Sequence, residues 1–179
     1  SCGQKWMDMS EGHYGVSMLN DCKYGHSALD GIMTLTLIKS GIEPNPTADQ
    51  EEHTFTYALY PHAEGWRQAN TVQEAMKLNQ PLLSEEGGHA GCQNSFVWVD
   101  KSNVIIETVK MAEDDDGIIV RLYESENAKT KAHIFFGEKI SSVESCNCLE
   151  EIKQTIETDG EGFEITIKPY EIQTYRVRF

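Results

Sequence analysis

The chain has 179 residues, 39% of them apolar and 25% charged, with a formal net charge of −14. That size holds one ordinary domain or two small ones, and the composition is that of a folded chain. The negative balance argues against nucleic acid and anionic membrane as partners, because both reward a basic surface, and is compatible with neutral ligands such as sugars.

No apolar run approaches the length of a bilayer span, and the N-terminal SCGQKWMDMS lacks the basic and apolar regions of a signal peptide. The five cysteines (Cys2, Cys22, Cys92, Cys146, Cys148) are odd in number and show no framework spacing. A reducing, cytoplasmic location is therefore expected. Cys146 and Cys148 stand too close for a CxxC redox pair or a zinc knuckle and read as two ordinary thiols.

In chain order, GVSMLN (15–20) predicts a strand running into the loop DCKYG. GIMTLTLIKS (31–40) sets Met33, Leu35 and Leu37 on one face. HTFTYALY (53–60) sets Phe55, Tyr57 and Leu59 against Thr54, Thr56 and Ala58. EGWRQANTVQEAMKLN (64–79) changes period: Trp66, Ala69, Val72, Ala75 and Met76 recur every three or four residues ahead of Pro81, which predicts a helix. LLSEEGGHAGCQNS has three glycines and no periodicity, so it reads as an exposed loop and a domain boundary.

Strands resume at SFVWV (95–99) and NVIIETVKMA (103–112), and Asp116-Gly117 precedes IIVRLYES. KAHIFFGE (131–138) and the run near 140–145 follow. EEIKQTIET and EGFEITIKP flank Asp159-Gly160 and read as a hairpin, and EIQTYRVRF closes the chain. Period-two alternation with β-branched residues and glycine turns predicts an antiparallel all-β protein with one helix.

The stretch DQEEHTFTYALYPH (49–62) places acids and two histidines around an apolar run. With a strand between them, His53 and His62 would lie roughly 25 Å apart, far beyond one metal ion's reach. His62 then reads as a helix-preceding residue bonding a loop carbonyl, and Pro61 as a strand exit. The tyrosines Tyr57 and Tyr60 and the indoles Trp66 and Trp98 read as core. Asp114, Asp115 and Asp116 form an acidic turn that alone seldom supplies the oxygens of a calcium site. No GxSxG elbow, Walker loop, HExxH or GxGxxG after a strand is present.

Read together, LNDCKYG (19–25), the block ADQEEHTFTYALYPH (48–62) and NVIIETVKMAEDDDGIIVRLYE (103–124) resemble the C-terminal part of family 38 α-mannosidases. The likeness extends in order over nearly the whole chain, through PYEIQTYRVRF (169–179). Two positions depart from the family pattern: Glu51, where glycine is common, suggesting a changed turn, and His26, where an aromatic is common, altering a loop tip.

The resemblance implies that residues 1–92 carry the last strands and one helix of a galactose-mutarotase-like β-supersandwich, and 93–179 a small terminal antiparallel β-sandwich. It implies a retaining exo-α-mannosidase whose nucleophilic aspartate and zinc sit in N-terminal domains, so this segment supplies no catalytic and no metal residue and is expected to be inactive alone. The expected partners are those domains and mannose-containing oligosaccharides, with self-association through open sheet edges. The loop residues Asn20, Asp21, Lys23 and Tyr24 are the candidate substrate contacts at the rim of the catalytic domain; the competing reading is a polar turn capping backbone groups. A stand-alone carbohydrate-binding or adhesion sandwich is the alternative.

Overall fold

The protein is described by a computed structural model covering residues 1–84, 86–87 and 95–179. The glycine-rich segment predicted as the boundary loop, with Cys92, lies largely outside the described residues. The chain divides into two compact units, Ser1–Glu86 and Gly87–Phe179.

In the first unit, Met7-Asp8-Met9-Ser10 alternates apolar and polar within β1 (Trp6–Glu11). It pairs antiparallel with β2 (Tyr14–Asn20), which places Asp8 opposite Ser17. A hairpin follows, β3 (Gly25–Leu29) and β4 (Ile32–Thr36). Its turn, Asp30-Gly31, has positive φ at both residues, 50° and 75°, the geometry that matches the twist of two paired strands. Strand β5 (Tyr57–Ala63) pairs with β2, giving the order β1-β2-β5.

Four expectations change here. The predicted strand 31–40 is shorter, Ile32–Thr36. The predicted strand 53–60 starts four residues later and runs to Ala63. Pro61 therefore lies inside it, tolerated because β5 is an edge strand. His26 is buried within β3 rather than at a loop tip. The helix α1 is shorter than predicted, Thr71–Asn79, because Asn70 adopts a left-handed conformation (φ 54°) that halts the helical run ahead of Thr71. Thr71, Val72 and Ala75 are its buried residues.

The second unit is a sandwich. A five-stranded sheet has the order β11-β10-β13-β8-β7, and a three-stranded sheet the order β12-β9-β6. The strands are β6 (Val97–Val99), β7 (Val104–Met111), β8 (Ile118–Glu124), β9 (Thr130–Phe136), β10 (Ser142–Cys146), β11 (Ile152–Ile156), β12 (Gly162–Ile167) and β13 (Ile172–Arg178). Alternation sends Ala132, Ile134 and Phe136 of β9 and Phe163, Ile165 and Ile167 of β12 inward, onto Val120, Leu122 and Val177. The Phe163 and Tyr175 rings meet at 4.9 Å between centroids.

The predicted hairpin around Asp159-Gly160 is not one. Strand β11 pairs with β10, whereas β12 pairs with β9 in the other sheet. The connection instead crosses between layers: Asp159 Oδ1 accepts from the amides of Glu161 and Gly162, and Thr158 Oγ1 donates to the Gly162 carbonyl. A hairpin would have kept both strands in one sheet and taken Phe163, Ile165 and Ile167 out of the two-sheet core. Among the described residues no helix is long and apolar enough to cross a membrane.

Candidate functional site

The loop after β2 is built by its first two residues. Asn20 is almost fully buried. Its Oδ1 accepts from the Lys23 amide at 2.7 Å, and its Nδ2 lies 3.3 Å from His26 Nε2. His26 Nδ1 sits 3.0 Å from the Tyr24 carbonyl. A carbonyl only accepts, so Nδ1 carries the proton and Nε2 accepts from Asn20. Asp21 Oδ2 accepts from the Thr56 amide at 2.9 Å, while the Asp21 amide donates to the Thr56 carbonyl. Bonds from the Cys22 side chain and the Thr56 amide hold the Asp21 carboxyl below its ordinary range.

Of the other two candidates, Lys23 is half-buried and Tyr24 exposed. Lys23 Nζ lies over the Phe55 ring at 4.7 Å, and the Tyr24 ring is half exposed. The loop thus presents an ammonium and a phenol on a frame fixed by Asn20 and Asp21.

Sequence reading missed a buried polar cluster. Asp8 Oδ1 accepts from His62 Nε2 and from Ser17 Oγ, both at 2.7 Å, and Thr71 Oγ1 lies 2.8 Å from Ser17 Oγ. Acid, histidine and serine together suggest a nucleophile triad, but the connectivity forbids it. In a triad the histidine uses one ring nitrogen for the acid and the other for the serine. Here Nε2 faces both, and Ser17 and Thr71 have no exposed surface. The cluster fastens β1, β2, β5 and α1 together. The signal was present as Asp8 between Met7 and Met9.

The opposite face of the β1-β2-β5 sheet is apolar. Met9, Val16, Met18 and Leu59 line a groove of about 730 Å³, with Ile32 and Met33 of the hairpin on its side. Tyr57, predicted as core, is 57% exposed, and Leu59 on the same face is 63% exposed. The sheet therefore carries apolar side chains on both faces, and α1 packs on only one of them. Trp66 is half-buried against Trp6, with ring centroids 5.1 Å apart.

In the second unit the acidic turn is committed to arginines. Asp114 meets Arg176 at 2.7 Å, and Asp116 is gripped by two nitrogens of Arg178, each at 2.8 Å. Arg178 also binds Glu144. Their guanidinium partners hold the carboxyls of Asp114 and Asp116 below the ordinary range. Among the described residues no group of three or more His, Cys, Asp or Glu is placed to hold a metal ion. Trp98, predicted as core, is 42% exposed on the outer face of the three-stranded sheet. It stands opposite Phe135, whose side of β9 points away from the core.

Comparison with known proteins gives a consistent picture. Residues 1–47 match the "Glycosyl hydrolases family 38 C-terminal domain", and residues 103–175 the "Glycosyl hydrolases family 38 C-terminal beta sandwich domain". The chain is similar to Alpha-mannosidase G of Dictyostelium discoideum, 35% identical over 97% of this chain and 17% of that protein. It is 35% identical to Alpha-mannosidase 2C1 of Homo sapiens over 82% of this chain and 14% of that protein. An alpha-mannosidase of Saccharomyces cerevisiae is 30% identical over 99% of this chain. The chain thus spans less than a fifth of these relatives' lengths, 19% in the yeast case. A crystal structure of an alpha-mannosidase from Enterococcus faecalis shares the fold at a TM-score of 0.74 and 20% identity, covering 98% of this chain and 21% of that one.

Proposed function

Because this chain belongs to glycosyl hydrolase family 38, as part of its C-terminal region, we propose that it is the non-catalytic β portion of a retaining exo-α-mannosidase acting on terminal α-mannosyl residues of oligosaccharides. In this reading residues 1–92 complete a larger β-supersandwich, and 93–179 form the terminal sandwich. The nucleophile and the zinc belong to domains outside this segment; no described residues here would hold the metal.

One observation carries the reading: the apolar groove of Met9, Val16, Met18 and Leu59 on a sheet whose other face is already packed. A sheet apolar on both faces is an inner layer, and water against it is unfavourable by about 25 cal/mol per Å². Preceding β structure of the same enzyme is the cover proposed. In this reading the loop of Asn20, Asp21, Lys23 and Tyr24 contacts sugar hydroxyls at the rim of the catalytic domain, a role supported by its exposed Tyr24 and its ordered frame.

The test is complementation. The 179-residue chain is mixed with separately produced preceding domains of a family 38 α-mannosidase, and sedimentation mass and aryl α-mannoside hydrolysis with added zinc are followed. The expected result is an inactive chain that forms a complex and restores turnover, with Met18→Asp abolishing both. Turnover by the chain alone overturns the reading. So does a folded chain that stays monomeric and ignores the partner, the behaviour of a free-standing binding module.

A further inference from the structure

The outer face of a sandwich sheet is ordinarily polar. On the three-stranded sheet of the second unit it carries a row of rings instead. Trp98 of β6 and Phe135 of β9 are direct cross-strand partners, stacked at 5.4 Å with only 11° between their planes. His133, two residues before Phe135, continues the row at 4.2 Å. Gly162, opposite Phe135, makes the row possible: a Cβ there would lie 2.6 Å from His133 Nε2 and 2.1 Å from the Ile134 carbonyl oxygen.

Beside the Trp98 end lies a recess of about 180 Å³, lined by Trp98, Phe135, Gly137, Glu138, Lys139 and Glu161. It is smaller than the roughly 300–1,000 Å³ typical of drug-sized pockets, a size suited to one ring. Glu138, Lys139 and Glu161 are exposed, and their charged ends make no hydrogen bond or ion pair to the described residues. The recess joins an open aromatic face to two acceptor groups and one donor group that are not committed elsewhere.

We propose that this recess binds a neutral hexopyranose ring, stacked on Trp98 and hydrogen-bonded by Glu138, Lys139 and Glu161. A pyranose has one face of C–H bonds and a rim of hydroxyls. The C–H face suits the negative face of an indole, and hydroxyls both donate to carboxylates and accept from an ammonium. Anionic ligands are disfavoured by the two local carboxylates and by the net charge of −14. The site lies wholly in the second unit and stands independently of the mannosidase reading: a mannosidase segment without it, or a binding module with it, are distinct outcomes.

The experiment is a nuclear magnetic resonance titration of the full 179-residue chain with the methyl glycosides of mannose, glucose and galactose. The three tryptophan indole N–H signals are followed, and that of Trp98 is assigned by Trp98→Phe. At least one glycoside should move the Trp98 signal saturably, with a Kd on the order of 1 mM, leaving Trp6 and Trp66 in place. Glu161→Gln and Lys139→Ala, surface changes that disturb no internal contact, should each weaken binding about threefold or more, and Trp98→Ala about tenfold. A Trp98 signal that does not move with any of the three sugars overturns the proposal. So does binding that persists unchanged in Glu161→Gln and Lys139→Ala.

Discussion

His62 Nε2 lies 2.7 Å from Asp8 Oδ1, with the two side chains only 3% and 4% exposed. The same carboxylate oxygen accepts from Ser17. One acid thus accepts from donors on two neighbouring strands, and its removal would leave the buried imidazole only its longer 3.2 Å contact with Ser17 and take from Ser17 its charged acceptor. Asp8→Ala is expected to destabilise the first unit by about 2–4 kcal/mol. Urea unfolding followed by tryptophan fluorescence checks this; a loss within experimental error would mean water replaces the carboxylate at no cost.

Gly15 faces His62 across the β2–β5 pair. A Cβ at that position would lie 2.3 Å from His62 Cε1 and 2.6 Å from Ser10 Cβ. Gly15→Ala should therefore cost about 1–3 kcal/mol by overpacking. Part of that cost should disappear in a His62→Ala background, a coupling of at least about 0.5 kcal/mol in a double-mutant cycle. Strict additivity would show that the imidazole is not what the new methyl group meets.

The 20–25 loop separates frame from surface, and its variants should separate likewise. In an intact enzyme Tyr24→Ala should raise KM for a mannosyl oligosaccharide about threefold while kcat and thermal midpoint stay near wild type. Asn20→Ala should instead lower stability by about 1–2 kcal/mol, because it removes the acceptor of the Lys23 amide. A Tyr24 variant that melts early and keeps its KM would assign the ring to packing.

The second unit should lose stability in acid. Burial pushes the Glu124 carboxyl up, but bonds from the Tyr170 amide, Asn103 and the Glu126 amide outweigh this and hold it below its ordinary range. Lys110 and the Glu113 amide do the same for Glu150, and the two arginines for Asp114 and Asp116. Acids with lower pKa values folded than unfolded bind fewer protons in the native state. Their stabilisation is complete above the unfolded range, near about pH 4, and is lost as pH falls through the folded values. The urea midpoint should be flat from about pH 7 to 5 and decline below about pH 4. A midpoint that rises on acidification would contradict the assignment.

Much of the architecture was legible because it is local. Alternation marked β2, β7, β8, β9 and β13 to within one or two residues at each end, and the three- and four-residue spacing marked α1. What stayed hidden is what only tertiary contacts decide. Nothing in HTFTYALY tells which alternating face turns inward; the buried His62 drew Ala58 and Tyr60 to the helix side and left Tyr57 and Leu59 outside. The Asp159-Gly160 turn resembles a hairpin turn locally, yet the two strands it joins belong to different sheets. Asp30-Gly31 is a true hairpin turn that the sequence reading passed over, because β3 ahead of it is only five residues long. The loop candidates were legible as polar in type, but only tertiary contacts decide that Asn20 is buried, that Asp21 is tied at the surface to the Thr56 backbone, that Lys23 lies half-buried over Phe55, and that Tyr24 is open.

The two register shifts in the five-stranded sheet fall in its outermost pairs, between Ser145 and Cys146 of β10 where it meets β11, and between Ile106 and Thr108 within β7. A bulge bends and twists the ladder locally, so neither border of that sheet offers a long flat template to a second chain. The smaller sheet ends on one side in β6, only three residues long. A molecule that exposes an apolar groove and a row of rings is at risk of fibrous polymerisation. At these three margins the irregular or short backbone is a poor template, so association there depends on side chains, where shape and charge select the partner, rather than on backbone pairing, which any extended peptide could supply.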